Sequence, residues 1–134
     1  MSREIIQPDG LIDAPSIGYS HAIVEGGTLY TSGQVGWDEE FELAGEDIQS
    51  QASKASKAFE NVETLLAEID KSLEDVTKVT AHIVDLHENR EDFFEVWQEF
   101  YSEPPYPCLT LLGPDQLAQP GMLVELEVEV PVET

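Results

Sequence analysis

Apolar and acidic positions alternate strictly near the end of the chain: Val124, Leu126, Val128 and Val130 interleave with Glu125, Glu127 and Glu129. A period of two predicts a strand over Met122–Val130 with one face buried and the other lined by carboxylates. A second apolar run, Cys108–Leu112, precedes it across a connection carrying Pro114, Pro120 and Gly121. Nearer the start, Tyr19–Glu25 and Thr28–Val35 are β-rich and joined by Gly26-Gly27, a hairpin pattern. Gly33 and Gly36 are placed to bend the second of these strands or to admit a ligand close to the backbone. Before the hairpin, residues 1–18 predict a short strand at Glu4–Gln7 and then a loop through Pro8, Gly10, Pro15 and Gly18. Trp37 to Gly45 reads as an acidic loop.

The period changes after residue 46. Ile48, Ala52, Ala55, Phe59, Val62, Leu66 and Ile69 recur at steps of three and four. They predict one helix over Asp47–Asp70, with small residues at its start that let it lie close on a sheet. Lys78–Asp85 predicts a strand, and Asn89–Tyr101 a second helix with Phe93, Val96, Trp97 and Phe100 on one face, stopped by Pro104 and Pro105. The order β-β-α-β-α-β-β predicts an α+β fold: a single mixed β-sheet with two helices packed on one face. Residues 1–134 form a single domain, the size expected of one core. The sheet face left open carries the Glu125, Glu127 and Glu129 row, and such a face is usually closed by another subunit.

Charge alters this picture more than composition does. Lysine and arginine number 6 against 28 aspartates and glutamates, a formal net charge of −22 with a pI near 4.1. The acids are spread along the whole chain. Such a surface repels nucleic acid and anionic membranes, so neither is expected as a partner. It also repels itself unless salt shortens the Debye length, which falls to roughly 3 Å at 1 M. Dispersed acids with few lysines resemble the halophilic proteins of salt-loving archaea. Cys108 is the sole cysteine, which excludes an intrachain disulfide and makes a reducing cytoplasm the expected location. No apolar run approaches the roughly 20 residues of a membrane span, and no signal-peptide pattern opens the chain.

Several pieces in order and spacing resemble the Rid family, also called YjgF. They are G-Y-S-H-A, L-Y-T-S-G-Q-V-G, F-E-N-V, K-V-T-A-H-I-V-D-L, D-F-F-E-V-W, Y-P-C-L-T and L-V-E-L-E-V-E-V. The resemblance runs from about Ala14 to Val130. It implies a homotrimer whose sheets form a central barrel, with ligand sites in three clefts between subunits. It also implies hydrolysis of enamines and imines to ketoacids and ammonia. In that family an arginine in a P-x-R-[ST] piece holds the substrate carboxylate, and a glutamate in the last strand positions water. Carried onto this chain, the pocket tyrosine falls on Tyr19, the S-G-Q backbone on Ser32, Gly33 and Gln34, and the glutamate on Glu125. The arginine position falls on Leu109. Leucine offers neither charge nor a bidentate grip on a carboxylate, so the chain resembles the branch of the family that lacks this arginine.

The ligand-binding set expected from these matches is Tyr19, Ser32, Gly33, Gln34, Cys108, Leu109 and Glu125, with Glu125 as the candidate catalytic group. Cys108 sits beside the pocket piece without a base near it in sequence, so it is expected to pack rather than to act as a nucleophile. His21 is expected to be a packed, hydrogen-bonded histidine, although it could replace part of the missing positive charge. His82 and His87 receive no role, and Glu127 and Glu129 are expected to be solvated or at a subunit contact. No histidine or cysteine spacing suggests a metal site, and no cofactor is expected. Three functions remain in view. The first is binding, or turnover, of a neutral or cationic small metabolite in clefts between subunits. The second is imine deamination in which Glu125 positions water, and the third is a regulatory or interaction trimer without catalysis.

Overall fold

A computed structural model describes residues 3–53 and 57–132. Among these residues seven strands form one sheet: β1 (Glu4–Ile6), β2 (Ala22–Glu25), β3 (Thr28–Thr31), β4 (Gln34–Val35), β5 (Lys78–Ile83), β6 (Cys108–Leu112) and β7 (Val124–Pro131). The order is β1-β2-β3-β7-β5-β6, with β4 also pairing β7. β5 and β6 run parallel and the other pairs antiparallel, so the sheet is mixed, as the element order predicts. β7 lies at its centre because its eight residues pair with β3 and β4 on one side and β5 on the other.

The alternation of β7 is realised as written. Val124, Leu126, Val128 and Val130 are buried, while the intervening glutamates keep contact with solvent. Buried residues of the helices pack on this apolar side in one core that includes Phe59, Leu65, Phe93, Trp97, Val79, Ala81 and Leu126. Phe59 is its hub, stacked on Phe100 at 4.4 Å and edge-on to Trp97.

Among the described residues three α-helices, not two, cover that face. The helix predicted over Asp47–Asp70 is divided into α1 (Ile48–Ala52) and α2 (Ala58–Ala67). Asp47 caps α1 by accepting a hydrogen bond from the Ser50 N–H, and Ser53 ends it with extended backbone at φ −69° and ψ 162°. Ala55 of the predicted stripe lies outside the described residues. Tertiary contacts override the local period here. The buried Gln51 amide donates to the carbonyls of Gly45 and Gly121 and accepts from the Leu123 N–H. Those bonds hold α1 against the β7 entry independently of the direction α2 takes. The other predicted helix begins three residues early as α3 (Leu86–Phe100), entered through Asp85 at a left-handed φ of 53°.

The hairpin is present, with Glu25 paired to Thr28 and both Gly26 and Gly27 at positive φ, as a tight two-residue turn requires. Its second strand is interrupted. Between the pairs Tyr30–Glu129 and Gln34–Leu126, three residues (Thr31, Ser32, Gly33) oppose two (Glu127, Val128). This is a bulge, and the Thr31 hydroxyl fills part of the broken ladder by accepting from the Val128 N–H at 3.0 Å. Tyr19 and His21, expected within the first hairpin strand, instead lie between a 3-10 turn at Ala14–Ile17 and the start of β2.

Candidate functional site

The bulge builds the site. Ser32 is pinned to the preceding segment twice, its N–H to the His21 carbonyl at 2.8 Å and its hydroxyl to the Ser20 carbonyl at 2.6 Å. That fixes the segment carrying Tyr19 beside Gly33. Any Cβ placed on Gly33 would overlap the Glu125 carboxylate, so the side chain of Glu125 lies directly on the Gly33 backbone. Gly36 behaves differently: its close neighbour is the backbone of Gln51, so it serves packing rather than ligand access.

Tyr19, Gly33 and Glu125 are therefore brought together. Burial pushes the Glu125 carboxyl above its ordinary value; the His82 charge pulls it down and Glu127 pushes it further up. Burial, reinforced by the Glu125 charge, likewise pushes the Tyr19 phenol up. Both groups are thus harder to ionise in this partly dry place than in water.

The other expected residues are distributed differently. Gln34 is buried, and its amide is spent inside the protein on the Ser32 carbonyl and His21 Nδ1. His21 is packed: Nε2 donates to the Ile12 carbonyl at 2.8 Å while Nδ1 accepts from Gln34. Neither ring nitrogen is left to supply the missing positive charge. Leu109 pairs in register with Val79 and packs against the core cluster, on the face opposite Glu125 within one protomer. Cys108, expected to pack, is exposed at the edge of the open face. Of the two arginines, Arg3 pairs with Glu25 at 3.1 Å, and Arg90 lies exposed on α3, beyond the helix layer.

His82 is the residue that local pattern did not single out. It sits directly across the ladder from Glu125, and its Nε2 donates to Glu127 Oε1 at 2.8 Å. Period two in Lys78–Ile83 already put Lys78, Thr80 and His82 on one face; only the β5–β7 register shows which carboxylates they meet. Lys78 faces Glu129 and donates to the Thr110 hydroxyl. Beside this row is a depression of about 160 Å³ lined by Tyr30, Thr31, Thr80, Glu127, Val128 and Glu129. That is below the roughly 300 Å³ at which ligand pockets begin. Among the described residues no group of three histidine, cysteine or acidic side chains is arranged to hold a metal ion. Among them, too, no helix is long and apolar enough to cross a membrane.

Fold and site define an α+β protein of one mixed sheet, helices on one face and an acidic row with a bulge-positioned glutamate on the other. Residues 11–132 match the family model described as Endoribonuclease L-PSP, and the chain belongs to this Rid/YjgF family. It is similar to the RutC family protein YjgH of Escherichia coli strain K12, 36% identical over 110 residues, which cover 82% of this chain and 79% of that one. A RutC family protein of Pyrococcus abyssi is 35% identical over 81% of this chain and 82% of its own length. Among solved structures, that titled Protein YJGH superposes with a TM-score of 0.89 at 32% identity, covering 100% of this chain and 99% of that one. RidA from the Antarctic bacterium Psychrobacter superposes at 0.83 with 32% identity, covering 96% and 99%.

Proposed function

We propose that this protein binds a small neutral or cationic metabolite against Glu125, in a cleft completed by a neighbouring copy of the chain. Hydrolysis of a C=N bond is the reaction its groups are equipped to perform. The observation that carries the reading is the Glu125 carboxylate laid on the Gly33 backbone beside Tyr19, half-buried and pushed toward its protonated form. Such a group takes a proton from water and returns it within one cycle. Family membership supports a small-molecule-binding or deaminase-type role. Leu109 and the acidic row supply nothing that grips an anion, so a substrate without a carboxylate fits better than a 2-imino acid. The net charge of −22 argues against RNA as a substrate.

Incompleteness of the site in one chain supports the neighbouring copy. The depression on the open face is small, and Ile5, Tyr30 and Leu112 stand 46–51% exposed on it. Association in threes, around a barrel of facing sheets, would cover them; light scattering in molar KCl then returns three chain masses. A monomer there removes the shared cleft. In a high-salt cytoplasm the charge is screened, and the unfolding midpoint rises from low to molar KCl.

The deciding assay follows the disappearance of two freshly generated imines, one carboxylate-free ketimine and one 2-imino acid, with ammonia release as the product signal. Hydrolysis above buffer that Glu125→Ala abolishes, faster for the carboxylate-free substrate, is the expected result. Preference for the imino acid would restore the family's usual substrate. If a folded assembly shows no rate above buffer, turnover is excluded. A ligand-induced rise in melting temperature that Glu125→Ala removes would then keep the binding reading alone.

A further inference from the structure

We infer that His82 is a second catalytic residue of the Glu125 site, its imidazole held in place by Glu127 as a positioning residue. The inference rests on the hydrolysis reading above and adds to it the group that carries the second proton. Three observations support it. His82 and Glu125 are directly paired across the β5–β7 ladder, where opposite side chains stand roughly 5 Å apart at Cβ. The 2.8 Å bond from His82 Nε2 to Glu127 Oε1 fixes the ring's rotation and keeps the proton on that nitrogen, leaving Nδ1 to gain and lose one. Its side chain is 25% exposed, so the ring is neither sealed in the core, as His21 is, nor free in solvent. The charged and titratable groups facing it are Glu125 and Glu127 on β7; on its other side β6 presents Leu112 and Thr110, which carry no charge.

The chemistry closes on these two groups. Hydrolysis of an imine needs one proton taken from water and one given to nitrogen, then the reverse traffic. Water adds its oxygen to the imine carbon as its proton passes to the Glu125 carboxylate. The C=N π pair moves to nitrogen, which takes a proton from the His82 imidazolium. The carbinolamine that results carries one hydroxyl and one amino group. Glu125 then protonates the amino nitrogen, the hydroxyl proton goes to His82, the C–N bond breaks and ammonia leaves a carbonyl. Both residues end in their starting forms, and no other reactant is consumed. With one histidine set among the acidic groups of β7, the site suits a neutral or cationic substrate better than an anionic one.

The test compares wild type, His82→Gln and Glu127→Gln on the carboxylate-free imine across pH, with far-UV circular dichroism as the folding control. His82→Gln should lower kcat about a hundredfold with KM nearly unchanged, and flatten the alkaline limb of the rate profile. Glu127→Gln should keep part of the rate and lower kcat more than it changes KM, because the imidazole has lost the carboxylate that fixes its ring. A purely structural role would leave the limb in place. His82→Ala gives a second readout, since added imidazole should restore part of its rate. Wild-type turnover with His82→Gln equally active and an unchanged profile overturns the inference and leaves the Glu125 reading standing. No wild-type turnover of either imine overturns the hydrolysis reading itself, and the role of His82 falls with it.

Discussion

The two faces of β7 are made from one stretch of eight residues and do opposite work. The face under the helices carries Val124, Leu126, Val128 and Val130, none more than 4% exposed, and is interchangeable in kind with any close-packed core. The open face carries Glu125, Glu127 and Glu129, meeting His82, Thr80 and Lys78 across β5. Its side chains contribute little by burial, and their value lies in where they put charge and protons. A sheet face that holds acids half-dry against a histidine gives up stability, and such arrangements cluster at functional sites.

The comparison breaks first if the covered face tolerates truncation. Leu126→Ala removes a fully buried side chain beneath α2 and should cost about 2–5 kcal/mol in urea unfolding. Glu129→Ala, three residues along on the open face, should stay within about 0.5 kcal/mol. Equal costs would mean that the open face is as deeply packed as the covered one.

Gln51→Ala should have the next largest effect, roughly 1–3 kcal/mol, since it strips partners from the Gly45 and Gly121 carbonyls and the Leu123 N–H at once. Unfolding monitored beside hydrogen exchange of the Leu123 amide would show whether the loss begins at the β7 entry. An unchanged Leu123 exchange rate would remove the clamp.

That clamp marks where the sequence stops being legible. Period two and period 3.6 are local properties, so β7, the hairpin, β5 and the α3 face could be read from spacing alone. The division of the Asp47–Asp70 pattern could not, because the bonds that hold α1 reach from Gln51 to residues 121 and 123. The bulge was equally hidden: Gly33 left open a bend or the close approach of a ligand, and only the register of β3 and β4 against β7 brings Glu125 there as the neighbour. Of the site, Tyr19, Gly33 and Glu125 were legible through the resemblance. The surroundings of His82 were not, since they are set by the strand beside it.

A smaller effect, with a sign that depends on pH, tests whether Glu125 is held against its own charge. Its carboxyl is pushed above the ordinary value of 4.5, chiefly by burial. A carboxyl with a raised folded value contributes stability that is complete below 4.5 and lost as pH rises through the folded value. Glu125→Gln should therefore be more stable than wild type at neutral pH, by less than about 1 kcal/mol given the partial exposure, and equal to it in acid. A variant less stable at neutral pH would show that the ionised carboxylate is a net anchor of the fold.

Gly33→Ala should have the smallest effect on stability and the most selective effect on the site. Gly33 needs no left-handed backbone, and the atoms a methyl group would meet belong to the flexible end of Glu125 rather than to the main chain. Reduced freedom of the unfolded chain contributes about 0.4–1 kcal/mol in the variant's favour, against a similar cost for moving the carboxylate. The melting temperature should then barely change while imine hydrolysis, or the ligand-induced shift, falls as far as in Glu125→Ala. Gly36→Ala is the control, because there the methyl meets the Gln51 backbone, which cannot swing aside. Loss of fold in Gly36→Ala with loss of function alone in Gly33→Ala would place the division between stability and chemistry within four consecutive residues. A large drop in melting temperature for Gly33→Ala would mean instead that Glu125 cannot leave its place, and that the open face is braced as firmly as the covered one.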